Sequence, residues 1–189
     1  MSRQPAIFLD RDGVIIENRA NYVRSWADVA FFPQALAALA RIRETPRKII
    51  LVTNQSAVGR GIISWETAVS LNNRIIEVVR QAGGRIDAAY ICPAAPGEDA
   101  PCRKPRPGML LQAAADHQID LSRSVMIGDA LTDVQAGRAA GVGEVILLLT
   151  GRGKAQLALA DTAVAFPFTV CQNLDEALRQ IVPTVLPTR

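Results

Sequence analysis

Short runs of apolar, often branched residues recur along this chain, each separated from the next by a stretch of helical periodicity. That alternation restricts the fold more than any other feature. Ala6–Leu9 reads as a buried strand, as do residues 49–52, 88–91, 125–127 and 145–149. Residues 33–44 read as a helix that opens on Pro33, carries Leu36, Leu39, Ala40 and Ile42 as an apolar stripe, and stops at Thr45-Pro46. Ser64 can cap a helix that Gly83-Gly84 ends. Further helices are expected over 108–117, from Asp129 to near Gly141, and over 174–182. Residues 54–61 and 93–107 read as loops, and 183–189 as a fraying tail. Strands that are apolar on both faces and alternate with helices predict a Rossmann-like three-layer α/β/α fold around a parallel sheet. The 189 residues suit one domain, 1–189, with no internal repeat.

Composition excludes several functions. The net charge of +3 favours anionic ligands, yet Lys and Arg form no stripe dense enough to track a nucleic acid. No apolar run approaches the roughly 18 residues of a membrane helix. The stretch between Met1 and Asp10 is too short for a signal-peptide core, so a cytoplasmic protein is expected. Three cysteines, Cys92, Cys102 and Cys171, are too few for a disulfide framework and suit a reducing compartment. Nothing around His117, the single histidine, marks a catalytic site.

In sheets of this kind ligands gather outside the carboxyl ends of the strands, where the polar motifs of this sequence fall. Asp10-Arg11-Asp12-Gly13 follows the first strand; Asp-Gly is a common turn, but carboxylates two residues apart on extended backbone share a side. Such a pair repels itself, and a divalent cation relieves the repulsion. Thr53-Asn54-Gln55-Ser56 follows the second strand and offers a hydroxyl and N–H groups to a phosphate oxygen; alone it reads as a polar turn. Arg103-Lys104-Pro105, alone, reads as a solvated basic loop. Gly128-Asp129 with Asp133 follows the fourth strand; alone it reads as acids at a helix N-terminus. Four separate segments ending at one edge of one sheet outweigh those separate readings.

With that order of motifs the chain resembles the haloacid dehalogenase superfamily of phosphohydrolases, over about residues 7–141. Phe8-Leu9-Asp10-Arg11-Asp12-Gly13-Val14, the segment 53–61 and Cys102-Arg103-Lys104-Pro105 are most similar to its histidinol-phosphatase and heptose 1,7-bisphosphate phosphatase branch. The resemblance implies that Asp10 is the nucleophile and is transiently phosphorylated, and that Asp12 is the general acid and base. It implies Mg²⁺ held by Asp10, the Asp12 backbone carbonyl and Asp129, with phosphate bound by Thr53, Asn54 and Lys104. Asp133 would support the site from behind, and Arg103 and Arg60 would meet the rest of the substrate. The implied ligand is a small phosphorylated metabolite handled by a monomer, with neither nucleic acid nor membrane as partner.

Relatives in the branch carry a zinc loop of the form C-x-H followed by C-x-C. Here Cys92-Pro93-Ala94 and Ala100-Pro101-Cys102 retain two of four ligands, so no zinc is expected and Cys92 reads as a buried small hydrophobe. The intervals from Asp10 to Thr53 and from Thr53 to Lys104 leave no room for a separate cap domain. Residues 17–32 and 93–107 would then roof an open site and choose the substrate. The C7 phosphate of a heptose 1,7-bisphosphate leads, ahead of histidinol phosphate. A polynucleotide 3′-phosphatase is disfavoured by the missing basic stripe. A non-catalytic phospho-ligand scaffold is disfavoured by the intact acid groups.

Overall fold

The structure is a computed structural model and describes residues 3–160 and 166–182. Its strands are β1 (Ala6–Leu9), β2 (Lys48–Asn54), β3 (Ala88–Cys92), β4 (Val125–Gly128), β5 (Glu144–Leu148) and β6 (Thr169–Cys171). They form one sheet in the order β3-β2-β1-β4-β5-β6, and every pairing is parallel. The helices are α1 (Pro33–Arg41), α2 (Ser56–Gly59), α3 (Trp65–Gln81), α4 (Gly108–Asp116), α5 (Leu131–Ala139), α6 (Gly153–Leu157) and α7 (Leu174–Ile181).

The side-chain period of two divides each strand between two cores. Ile7, Leu9, Ile49, Leu51, Val125, Ile127, Ile146 and Leu148 face Ala35 and Leu39 of α1, Leu71 and Ile75 of α3, and Leu174 and Leu178 of α7. Ala6, Phe8, Ile50, Val52, Met126, Val145 and Leu147 face Met109 and Leu110 of α4 and Leu131 and Val134 of α5. The sequence therefore folds into the three-layer arrangement expected of it. Each fully buried Leu or Ile contributes roughly 1.5–3 kcal/mol, so a one-residue slip of a strand, which would exchange its two faces, is strongly disfavoured.

β1 lies at the centre. The chain runs outward from it through β2 to β3, then returns to place β4 on its other side. The order reverses between β1 and β4, where Asp10 and Asp129 leave the sheet. The amide of Asp10 donates to the Ile127 carbonyl at 3.0 Å, which ties the two exits together.

Several expectations need correction. Helix α1 ends at Arg41, and the following residues form a turn. A four-residue helix, α2, stands within the segment expected to be loop, and β6 and α6 were not legible as elements. The 183–189 tail lies outside the described residues. Ser64 does cap α3, accepting from the Thr67 amide at 3.1 Å. Among the described residues no helix is long and apolar enough to cross a membrane.

The cysteines also differ from expectation. Cys92, at the end of β3, is bonded to Cys102, with Cα atoms 5.5 Å apart, and only Cys171 is a free thiol. The Pro-rich segment between them reverses direction and brings Cys102 back over the strand end, a proximity that a count of cysteines does not reveal. Closing a loop of this length removes unfolded-chain entropy worth about 2.5 kcal/mol. Thiol counting on unfolded, unreduced protein is expected to find one thiol per chain. Cys102→Ser is expected to lower the melting temperature by several degrees; three free thiols and an unchanged melting point would show that the pair is open.

Candidate active site

A cavity of about 260 Å³ opens outside the carboxyl ends of the central strands. Its walls include Asp10, Asp12, Asn54, Gln55, Arg103, Lys104, Asp133 and Arg152. Asn18, Arg19, Tyr22 and Val23 also line it, so the 17–32 segment does roof the site. Tyr22 takes a left-handed φ of 64°, a conformation that side chains other than glycine adopt only where the surroundings impose it.

Lys104 organises the floor. Its ammonium donates to Oδ1 of Asp10 at 2.7 Å and to the Val52 carbonyl at 2.8 Å, and it pairs with Oδ1 of Asp133 at 2.6 Å. All three charged side chains are buried. Burial alone would lower the lysine, but Asp10 and Asp133 outweigh it and hold the ammonium above its ordinary value. Burial pushes Asp10 up to about 6 against the pull of Lys104, with Asp133 and Asp12 adding to the rise. Burial also raises Asp129, with Asp10 adding to the effect, and raises Asp133 against Lys104.

The oxygens of Asp10, Asp129 and Asp133 lie within 4.8 Å of one another. Both oxygens of Asp133 are engaged, one by Lys104 and the other by the Ala130 amide at 3.1 Å. Asp10 gives Oδ1 to Lys104, and Asp129 meets Arg152, whose side chain is half exposed, so these two carboxylates are the better placed to meet a cation. Buried, mutually repelling, hard oxygen donors of this kind fit a divalent cation of the Mg²⁺ type, which takes few carboxylates and keeps waters. Gly13, at φ 87°, lets the chain pass beside Asp129; a Cβ there would strike that carboxylate. Gly128 stands in the same relation to Asp133.

Several candidate side chains are engaged within the fold itself. Thr53 is fully buried, and its hydroxyl accepts from Gln55 Nε2 at 2.8 Å. The Asn54 side chain is spent on Lys104: Nδ2 donates to its carbonyl and Oδ1 accepts from its amide, both at 3.1 Å. Asn54 therefore clamps the loop that carries the lysine. Arg103 lines the cavity and donates from Nη1 to Ser56 Oγ and the Ala94 carbonyl, each at 2.8 Å. Arg60, at the C-terminal end of the short α2, is exposed and lies outside the cavity lining, near enough to Arg103 for their like charges to act on each other.

Three participants were not assigned from sequence. Arg11 is buried beneath the floor and donates to both Asp12 oxygens, at 3.1 and 3.2 Å, and to Gln55 Oε1 at 3.0 Å. Gln55 returns a bond from Nε2 to Asp12 Oδ2 at 3.2 Å, so Asp12 is held from two sides. Arg152 donates its backbone amide to Asp129 Oδ2 at 2.8 Å and Nη2 to Oδ1 at 3.2 Å. The position of Arg152, just past a strand's carboxyl end, was the available signal. Gly13→Ala is expected to destabilise by at least about 2 kcal/mol in denaturant unfolding, since a left-handed residue gains a Cβ aimed at Asp129; a loss below 0.5 kcal/mol, about the scatter of a neutral surface change, would contradict the packing described.

The sequence model of the HAD-hydrolase-like family matches residues 101–177. The chain is 33% identical over 176 residues to the D-glycero-β-D-manno-heptose-1,7-bisphosphate 7-phosphatase of Bordetella bronchiseptica, covering 93% of this chain and 97% of that protein. It is 40% identical over 156 residues to the enzyme of the same name from Vibrio cholerae, covering 79% and 83%. Among solved structures, the B. bronchiseptica D,D-heptose 1,7-bisphosphate phosphatase complexed with magnesium and phosphate superposes with a TM-score of 0.86 at 33% identity, over 94% of this chain and 98% of that one.

Proposed function

Because the chain belongs to the D,D-heptose 1,7-bisphosphate phosphatase family of haloacid-dehalogenase-type phosphatases, we propose that it removes the C7 phosphate of D-glycero-β-D-manno-heptose 1,7-bisphosphate by way of a phosphoryl group carried on Asp10. The observation that carries this reading is Asp10 paired with Lys104 at 2.7 Å, at the reversal of strand order, with Asp12 on the same cavity wall. Residues 1–189 act as one domain and as a monomer in this reading.

Asp10, Asp129 and the Asp12 carbonyl would hold Mg²⁺. Bound there, the cation offsets the negative charge of the phosphoryl oxygens and of the carboxylates around them. The ammonium of Lys104 keeps Asp10 ionised despite its burial and faces the charge that spreads over the transferring group. One oxygen of Asp10 attacks the phosphorus, and the bond from phosphorus to the sugar oxygen breaks. Asp12 gives that oxygen its proton. The Asp12 carboxylate, steadied by Arg11 and Gln55, then takes a proton from a water as that water attacks the phosphoaspartate. Orthophosphate leaves and Asp10 is restored. Thr53 and Asn54 act through Gln55 and Lys104, and Arg103 meets the sugar end of the substrate.

Asp10→Asn is expected to abolish turnover, and EDTA to do so reversibly on addition of Mg²⁺. Asp12→Asn is expected to lower kcat by about 10²- to 10⁴-fold, the usual worth of a general acid. Measured on a panel of phosphorylated metabolites, kcat/KM should favour the heptose bisphosphate clearly over histidinol phosphate. The opposite ranking would reassign the substrate, and activity surviving Asp10→Asn would remove the nucleophile.

A further inference from the structure

Asp129 has no exposed surface, and Arg152 donates three hydrogen bonds to its carboxylate. These contacts are of two kinds. The backbone amide reaches Oδ2 at 2.8 Å from a loop fixed at several points. Leu149 donates to the Cys171 carbonyl at 2.9 Å, the Thr150 hydroxyl donates to the Gly13 carbonyl at 2.6 Å, and Gly153 donates to the Thr150 carbonyl at 2.9 Å. The guanidinium contacts are longer, 3.4 Å from Nε to Oδ2 and 3.2 Å from Nη2 to Oδ1. They come from a side chain 56% exposed that also lines the cavity. Oδ2 is thus held chiefly by the backbone amide, and Oδ1 by a half-exposed guanidinium.

We propose that the Arg152 guanidinium competes with the divalent cation for Oδ1 of Asp129 and, when released, turns to the phosphate dianion in the cavity. This rests on the reading of the site as a Mg²⁺ phosphatase. A guanidinium and a divalent cation on one carboxylate oxygen repel each other at close range, so the binding of either weakens the hold of the other. The backbone amide keeps Oδ2 in either case, and the carboxylate does not rotate when its partner changes. A phosphorylated ligand offers the displaced guanidinium a bidentate site, which couples phosphate binding to cation binding with positive sign. Arg152 is a positioning residue in this scheme: it sets cation affinity and makes that affinity respond to substrate.

The test is calorimetric titration of Mg²⁺ alone into wild type, Arg152→Ala and Arg152→Lys, without phosphate and with saturating inorganic phosphate. Without phosphate, Arg152→Ala is expected to bind Mg²⁺ about fivefold more tightly, the worth of a half-exposed charge-assisted pair. Arg152→Lys, which keeps the charge but not the fork, should fall between. Phosphate should tighten Mg²⁺ binding more in wild type than in Arg152→Ala. In thermal unfolding, Arg152→Ala should melt below wild type in EDTA, and the gap should close in saturating Mg²⁺. Unchanged or weaker Mg²⁺ binding by Arg152→Ala, with lower stability in both conditions, would make Arg152 a structural brace and overturn the competition. Failure of the wild type itself to bind Mg²⁺ would instead fell the reading of the site, and this inference with it.

Discussion

An ammonium enclosed between two carboxylates holds this site together. Lys104 meets Asp10 from the first strand, Asp133 from the helix after the fourth, and the Val52 carbonyl from the second. Three segments far apart in sequence converge on one nitrogen in a place almost without solvent. Burying such charges is unfavourable unless each finds its partners, and removing one partner of such a group typically costs about 3–5 kcal/mol. The arrangement is therefore sensitive to the register of every strand beneath it. The two apolar cores fix that register, and the ion cluster depends on them.

The surrounding polar groups divide into those that face the cavity and those that hold them. Arg11 and Gln55 brace Asp12, Asn54 braces Lys104, and the Arg152 amide braces Asp129. Each of these groups is thus fixed by a neighbour through short, directed hydrogen bonds. Such preorganisation leaves little for the protein to rearrange as charge moves during phosphoryl transfer.

Much of this was legible in the sequence, for physical reasons. Apolar runs on both faces marked four of the inner strands to within a few residues, because a parallel sheet covered on both sides demands them. Asp10, Asp12 and Asp129 stood just past strand ends and Lys104 in the loop after the third strand, on the edge of the sheet where ligands gather. What failed to show depends on direction, which sequence position does not carry. Thr53 and Asn54 sit where expected, yet their side chains turn to Gln55 and to the Lys104 backbone. Arg60 lies within a resembling segment, and its exposed position at the end of α2 is set by the fold of that short helix. The Cys92–Cys102 pairing and the approach of Arg152 to Asp129 arise from loops whose paths are set by packing. The short β6 is paired along one side only, and three residues give too little periodicity to read.

The clamp that Asn54 places on the backbone of Lys104 has a consequence for how this protein can diversify. Together with the Cys92–Cys102 bond, it pins the Pro-rich loop at both of its ends, one at the tip of β3 and the other at the lysine itself. Between these anchors residues 95–101 turn back on themselves, and the Gly108 amide holds the Pro101 carbonyl at 3.1 Å, so the loop's path is fixed next to the lysine as well as at the strand. A change of sequence in this loop therefore leaves the backbone position of the ammonium under the control of two separate fastenings, one covalent and one a paired amide.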